Sequence, residues 1–290
     1  MIPHWREIVP FGGHTVKIGV VTRSFPEFSN AETAEFMAER GLLWTELCFS
    51  QTDSSYWVYN GRSDLSDMTD ERAAGIVKIY RDAGIEVCAL GIFTNLIDPD
   101  EREREANLAY FERMIDIAAH TGIPTVATEC GFIPGRRGIN ADTYEADFDR
   151  IKASLARLVS YADKRDIDVA LEACVLDVVP SAKRTVDLIS QIGSDRLKVL
   201  LDPANFIANS SEDDMFRYLG PHIAYLHGKD RKVNDQRGRI VGDGDIDWQH
   251  FMRLYHQHAE GKPVILEYVK KDNVEMVRDR LIEADRLAAG

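Results

Sequence analysis

Segments with the periodicity of amphipathic helices alternate with short, mostly apolar runs along this chain. In residues 143–164, apolar side chains recur every three or four positions, which places them on one face of a helix. At six junctions a glycine stands where the helix should end, and glycine readily adopts the left-handed conformation found there. These glycines are Gly41, Gly84, Gly122, Gly193, Gly220 and Gly261. A seventh junction, KRDIDVALE, has an aspartate instead.

The apolar runs predict the strands of a parallel barrel. VALE, KVLLD, IAYLH and VILEY are apolar on both faces, as expected for parallel strands covered by helices. With VKIGVVT as the first strand, the pattern predicts eight strand–helix units and therefore an α/β fold, a single-domain (β/α)8 TIM barrel. An open doubly wound sheet is the alternative, but no Gly-x-Gly-x-x-Gly motif follows the first strand. We expect residues 16–290 to form the barrel and residues 1–15 to be an N-terminal extension.

Four successive strands end on residue types that bind divalent metals. The last residues of strands 5 to 8 are Glu172, Asp202, His227 and Glu267. The carboxyl ends of barrel strands surround a common centre, and neighbouring strands lie roughly 4.8 Å apart. A carboxylate such as Asp202, after the buried run KVLL, is costly unless it is paired, hydrogen-bonded or metal-bound. The four residues therefore predict one divalent-metal site. Its three oxygen ligands and one nitrogen ligand suit Mn²⁺, Mg²⁺, Co²⁺ or Zn²⁺, and the ligand set does not choose among them. We take Mn²⁺ as the expected ion.

These residues and the segments LLDPAN, LHGKD and GDGDIDW resemble the xylose isomerase-like superfamily of TIM-barrel sugar isomerases and epimerases, over essentially the whole barrel. The superfamily includes ketohexose 3-epimerases, hydroxypyruvate isomerase and inosose dehydratases. The resemblance implies that the four strand-end residues bind a divalent metal and that Glu172 and Glu267 also move protons. The His-x-Lys-Asp element at His227 is similar to the dehydratase-like branch. One position departs from the pattern: several members have histidine three residues after the strand-6 aspartate, where this chain has Asn205.

The predicted centre favours chemistry on a carbon next to a carbonyl. A metal that chelates a ketose carbonyl and its neighbouring hydroxyl acts as a Lewis acid, and two carboxylates on opposite faces can then remove and return a proton. We therefore predict a divalent-metal-dependent sugar isomerase or epimerase that acts through an enediolate on a ketose or keto-sugar derivative. One alternative is a lyase or dehydratase acting on an inosose or 3-keto sugar derivative. An alternative of another class is a non-catalytic sugar-binding barrel or partner subunit.

Loops after the strands supply candidate substrate contacts. A long polar loop after strand 2 contains Trp57, which can stack on a sugar ring if the loop is a lid. Glu129 ends strand 4, and Asn205 follows the strand-6 aspartate. Lys229 and Arg239 belong to a locally basic loop after strand 7, which suggests an anionic or polyhydroxylated ligand, or an acidic partner subunit. We predict that these five residues bind substrate.

Composition and charge limit the classes of molecule that the protein is expected to bind. The net charge of −13 makes nucleic acid a poor partner, and an endonuclease IV-like phosphodiesterase would need more histidine ligands and a basic face. We expect no membrane association, because no apolar run is long enough to span a bilayer. Four cysteines without a Cys-x-x-Cys pair suggest reduced thiols and a cytoplasmic protein. A small-molecule carbohydrate is the expected ligand, a homo-oligomer is compatible with the sequence, and Arg136 and Arg137 are expected to be solvated.

Overall fold

The computed structural model describes residues 16–136 and 138–290 and shows a closed barrel of eight parallel strands in the order β1 to β8. The strands are β1 Ile18–Val20, β2 Trp44–Leu47, β3 Glu86–Gly91, β4 Thr125–Glu129, β5 Asp168–Glu172, β6 Leu197–Leu201, β7 Ile223–Gly228 and β8 Val264–Leu266. The barrel closes where Gly19 of β1 pairs with Ile265 of β8. This confirms the predicted TIM barrel. The proposed extension, residues 1–15, and Arg137 lie outside the described residues.

Helices cover the outside of the barrel. They are α1 Asn30–Glu39, α2 Asp70–Asp82, α3 Glu101–Thr121, α4 Tyr144–Asp163, α5 Ala182–Ile192, α6 Pro203–Phe206, α7 Glu212–Leu219, α8 Trp248–His258 and α9 Val274–Ala288. The start of α1 is fixed by a capping box, in which the Ser29 hydroxyl accepts from the Glu32 amide and the Glu32 carboxylate accepts from the Ser29 amide. Across the described ranges, no helix has the length and apolar character needed to cross a membrane.

Most of the predicted helix-ending glycines have the left-handed conformation. Gly41, Gly84, Gly122, Gly193 and Gly261 all have φ between 66° and 81°. Gly220 also stands where its helix ends, after α7, but the left-handed conformation expected there is absent: its φ is −44°, and the chain continues into the 3₁₀ turn Gly220–His222 before β7. A side chain at Gly220 would place its Cβ 3.3 Å from the Cβ of His258, so glycine there serves close packing.

The inside of the barrel has an apolar layer beneath its carboxyl end. Its buried members are Val21, Cys88, Ala89, Ala127, Ala170, Leu200, Tyr225 and Ile265. Side chains alternate along a strand, so the residue two positions further on also points inward. From β4 to β8 those next residues are Glu129, Glu172, Asp202, His227 and Glu267. The strands therefore place a polar layer directly above an apolar floor.

The four cysteines, Cys48, Cys88, Cys130 and Cys174, are buried, and none forms a disulfide. This agrees with the prediction of reduced thiols. Burial raises the pKa of all four, so the thiols stay protonated near neutral pH and are poor nucleophiles.

Candidate metal centre

The four strand-end residues converge at the carboxyl end of the barrel. Glu172, Asp202, His227 and Glu267 are all buried, and each offers one ligand atom within 4.8 Å of those of the others. Asp202 directly follows β6 and Glu267 directly follows β8, while the other two lie within their strands. Residues far apart in the sequence thus form one cluster of three carboxylates and one imidazole.

The donor atoms of this cluster fit a bound cation. Among the described residues, His227 Nδ1 is buried without a hydrogen-bond partner, and Asp202 Oδ2 and Glu267 Oε2 contact only the ammonium of Lys229. His227 Nδ1 lies 3.5 Å from Glu172 Oε1 and 3.8 Å from Glu267 Oε2. Three clustered carboxylates beside one lysine, together with an unbonded imidazole nitrogen, are costly to bury, and a metal ion at their centre would lower that cost. The group could therefore hold a divalent metal, and its O₃N composition suits Mn²⁺, Mg²⁺, Co²⁺ or Zn²⁺.

Neighbouring groups aim these ligands. Asp202 Oδ1 accepts a hydrogen bond of 2.9 Å from the Ala204 amide at the start of α6, which leaves Oδ2 facing the centre. The Asn205 amide nitrogen donates to Glu172 Oε1 at 2.8 Å. Burial tends to raise the pKa of Glu172, but His227 and Lys229 more than offset it and hold the pKa at about 2. Glu172 is therefore ionised at neutral pH.

Glu46, which was not predicted, contacts the ring nitrogen of His227 that faces away from the other ligands. Its Oε2 lies 2.9 Å from His227 Nε2 and accepts a hydrogen bond of 2.6 Å from the Tyr225 hydroxyl. Burial lowers the pKa of His227, whereas Glu172 and Glu46 raise it to about 9 in the metal-free protein. A carboxylate behind a histidine fixes the ring orientation and strengthens the nitrogen that faces the metal. Trp44 packs against the apolar layer, so the alternation that places the other ligands also predicts that Glu46, two positions on, points inward.

Lys229 is a buried cation beside the ligands. Its Nζ lies 2.8 Å from Asp202 Oδ2 and 3.2 Å from Glu267 Oε2, as ion pairs, and 3.3 Å from Asn205 Oδ1. Asp230, the next residue, has a different place: it accepts hydrogen bonds from the amide of Gly242 and the indole of Trp248. In the His-x-Lys-Asp element, the lysine thus faces the centre and the aspartate folds the loop after β7.

Arg23, another residue that was not predicted, connects the centre to an aromatic wall. It forms an ion pair with Glu267 and lies 3.6 Å from Glu46 Oε1. Its guanidinium lies 4.9 Å from the ring centroid of Phe93 and 5.5 Å from that of Trp57. Trp57 therefore packs on Arg23 and lines a cavity at this end of the barrel.

Two cavities open above the centre, with volumes of about 400 and 670 Å³. We call them the smaller and the larger cavity; Tyr59, Glu129, Lys229 and Tyr268 line both. The Tyr59 hydroxyl donates a hydrogen bond of 2.8 Å to Glu129. Burial and then the charge of Glu172 raise the pKa of Glu129 to about 7. Volumes of this size accommodate small molecules, and polar groups surround the point where the cavities meet.

The predicted substrate contacts divide into two groups. Asn205, Lys229, Glu129 and Trp57 line one or both cavities. Arg239 lines neither cavity, and its guanidinium pairs with Asp235 at 2.7 Å. This geometry gives no support to a substrate contact by Arg239. The buried arginine of the same loop is Arg231, and loop composition alone does not distinguish the two.

The sequence matches the family described as xylose isomerase-like TIM barrel over residues 34–286. The chain belongs to this family. The resemblance inferred from the strand-end residues is thereby confirmed. No curated protein matches the chain by sequence.

Solved structures with the same fold include proteins that act on sugars. A D-tagatose 3-epimerase-like protein is 16% identical with a TM-score of 0.77, over 94% of this chain and 98% of that chain. The D-psicose 3-epimerase of Clostridium cellulolyticum H10, solved with D-tagatose, is 17% identical with a TM-score of 0.70 over the same shares. The IOLI protein, solved with a binding zinc atom, is 16% identical with a TM-score of 0.73, again over 94% and 98%. At these identities the likeness establishes the fold.

Proposed function

We propose that this protein is a divalent-metal-dependent sugar isomerase or epimerase that acts on a ketose or keto-sugar derivative through an enediolate. The observation that carries the proposal is the buried cluster of Glu172, Asp202, His227 and Glu267, whose ligand atoms lie within 4.8 Å of one another beneath two cavities. Family membership supports it, as do the sugar epimerases among the similar structures.

The same four side chains would hold the metal, for which we favour Mn²⁺. A divalent ion in this place supplies Lewis acidity to a substrate carbonyl and offsets the negative charge that develops on its oxygen. The zinc in the IOLI structure is compatible with a site of this kind in the family.

Glu172 and Glu267 are the proposed proton-transfer groups. They approach the centre from β5 and β8, so each can reach a substrate carbon from its own side. Removal of a proton next to the carbonyl gives the enediolate, and its return on the other face or to the neighbouring carbon gives an epimer or an isomer. A general base of this kind contributes roughly 10²–10⁴-fold to the rate. The ammonium of Lys229 lies beside Glu267 and can stabilise the oxyanion.

A second candidate reaction is elimination of water from an inosose or 3-keto sugar derivative. Glu129 favours it, because this carboxyl group lines both cavities and accepts a hydrogen bond from Tyr59, and so lies where it can protonate a departing hydroxyl. Both reactions begin with the same proton removal. Mass spectrometry of the products separates them, since only elimination yields a product lighter by one water.

Solvent-proton exchange tests the proposal. Ketohexoses and inososes are incubated with the protein in heavy water, with Mn²⁺ or with a chelator, and deuterium at the carbon next to the carbonyl is followed by NMR. We expect metal-dependent deuterium uptake into at least one of these sugars. A protein that binds the sugars and exchanges no proton with metal present is a sugar-binding barrel or partner subunit, and the enzymatic proposal is then wrong.

A further inference from the structure

Arg231 is a buried cation that forms no ion pair with any residue the structure describes. Its side chain lies in the loop after β7, lines the smaller cavity and is 5% exposed. One guanidinium nitrogen, Nη2, donates to Asn205 Oδ1 at 3.0 Å. Among the described residues, Nε has no hydrogen-bond partner and no carboxylate oxygen lies within 4.0 Å of the guanidinium. Arginine is seldom buried without a paired charge, so this arrangement is unusual for a purely structural side chain.

Two other cations near the centre, the buried Lys229 and the half-buried Arg23, are already paired. Lys229 forms ion pairs with Asp202 and Glu267, and Arg23 pairs with Glu267. The charge of Arg231 therefore remains available to a ligand in the smaller cavity. Three acidic side chains line the same cavity, and none forms an ion pair with the guanidinium; they are Glu129, Asp147, which pairs with Arg150, and Asp177.

The loop holds Arg231 firmly in this place. Its amide donates to Asp230 Oδ1 at 2.8 Å, and its carbonyl accepts from the Asp245 amide at 2.9 Å. Asp230 is itself bound by the Trp248 indole, and Gly244 packs so closely that a Cβ would come within 2.1 Å of Asp230 Oδ1. The backbone of Arg231 is therefore set by the fold before any ligand binds, as in a preorganised binding site.

We propose that Arg231 binds an anionic group of the substrate, a carboxylate or a phosphate, so that the substrate is an acidic keto sugar. The planar guanidinium matches both groups with two parallel hydrogen bonds. Asn205 bridges Arg231 and Glu172, at 3.0 and 2.8 Å, so the anionic end lies near the carbonyl end of the same small molecule. This inference rests on the proposed sugar-converting function and narrows its substrate class.

Binding measurements test the subsite separately from catalysis. For each D-2-ketohexose, calorimetry with a chelator present compares three probes: the uncharged sugar, its 6-phosphate and the corresponding ketohexuronate. The proteins are the wild type, Arg231→Gln and Arg237→Gln; Arg237 is exposed on the same loop and lines neither cavity. We expect one anionic form to bind at least tenfold more tightly than its uncharged partner. Arg231→Gln should weaken binding of the anionic form by roughly 10- to 100-fold and so abolish this preference. Arg237→Gln should keep the preference.

The comparison identifies the anion and can overturn the proposal. Preference for the uronate assigns a carboxylate, and preference for the 6-phosphate assigns a phosphate. Equal or weaker binding of every anionic form by the wild type overturns the subsite, even if Arg231→Gln fails to fold. A preference that survives in folded Arg231→Gln also overturns it. If the protein exchanges protons of uncharged ketohexoses but does not prefer anionic sugars, the subsite is rejected and the sugar-converting function stands. If it prefers anionic sugars through Arg231 but exchanges no protons, the subsite stands and the sugar-converting function is rejected.

Discussion

At the scale of single residues, the centre depends on how each donor atom is aimed. Glu46 holds His227 through Nε2, and Asn205 holds Glu172 through one of its oxygens. The remaining atoms, His227 Nδ1 among them, therefore face one another. Asn205 is itself held by Lys229 and Arg231, which both donate to its side-chain oxygen Oδ1.

Glu46→Gln should weaken metal binding without removing a ligand. The amide keeps the shape of the carboxylate but loses the charge that strengthens and orients the imidazole, and such partners typically account for 10- to 100-fold in metal affinity. We expect a loss of roughly this size in calorimetric titrations with Mn²⁺. Glu86→Gln, an exposed change at the opening of β3, is the matched control and should bind as the wild type does. Unchanged affinity in Glu46→Gln would show that Glu46 does not support the metal.

Some single residues were within reach of sequence reasoning and others were not. Glu46 follows from strand alternation on β2, in the same way as the ligands on the late strands. Arg231 and Arg239 lie in one basic loop, and only its folding around Asp230 buries the first and leaves the second paired with Asp235. That difference depends on long-range hydrogen bonds, which local sequence patterns do not record.

At the scale of elements, β3 must leave room for the side chain of Glu46, the residue on β2 that orients His227. Gly91 ends β3, and a Cβ there would lie 2.2 Å from Glu46 Oε1 and 2.9 Å from Cys48 Sγ. Both atoms are buried, so the space cannot be made by turning a surface side chain. The glycine is needed for close approach, since its backbone has no left-handed φ.

Gly91→Ala should therefore destabilise the fold and disturb the metal site together. We expect a loss of about 1–3 kcal/mol in the free energy of unfolding, typical of an overpacked core, and weaker Mn²⁺ binding because Glu46 must move. Gly75→Ala is the control: it lies within α2, nothing lies within 4 Å of its added Cβ, and it should stabilise by about 0.5–1 kcal/mol. Denaturant unfolding measures both, and equal effects would contradict the role assigned to Gly91.

At the scale of the whole molecule, the barrel brings together residues from every part of the chain. The repeated helix–glycine–strand pattern is enough to predict this fold, because an amphipathic helix followed by a short apolar strand recurs in unit after unit. The same barrel geometry made the four late strand ends predictable as a cluster. The course of the β7–α8 loop was not predictable, since buried polar contacts between distant residues decide it.

Metal binding should stabilise the whole fold, because the unfolded chain does not keep the four ligands together. At a free Mn²⁺ concentration of 100 times Kd, the free energy of unfolding should rise by about 2.7 kcal/mol. Asp202→Asn removes one charged ligand and should lose most of this gain, with partial recovery at higher metal concentration. Asp195→Asn, at an exposed position just before β6, should retain it. The absence of any metal-dependent stabilisation in the wild type would contradict the site.

The central claim is that Glu267 serves both as a metal ligand and as a proton-transfer group. The most direct measurement is the rate of solvent-proton exchange into substrate by Glu267→Gln, with bound Mn²⁺ determined on the same preparation and Glu86→Gln as the control. We predict that Glu267→Gln retains part of its metal, exchanges substrate protons roughly 10²–10⁴-fold more slowly than the wild type, and that Glu86→Gln is unaffected. Exchange by metal-loaded Glu267→Gln at the wild-type rate would contradict the account, and Glu129 would then be the first base to examine.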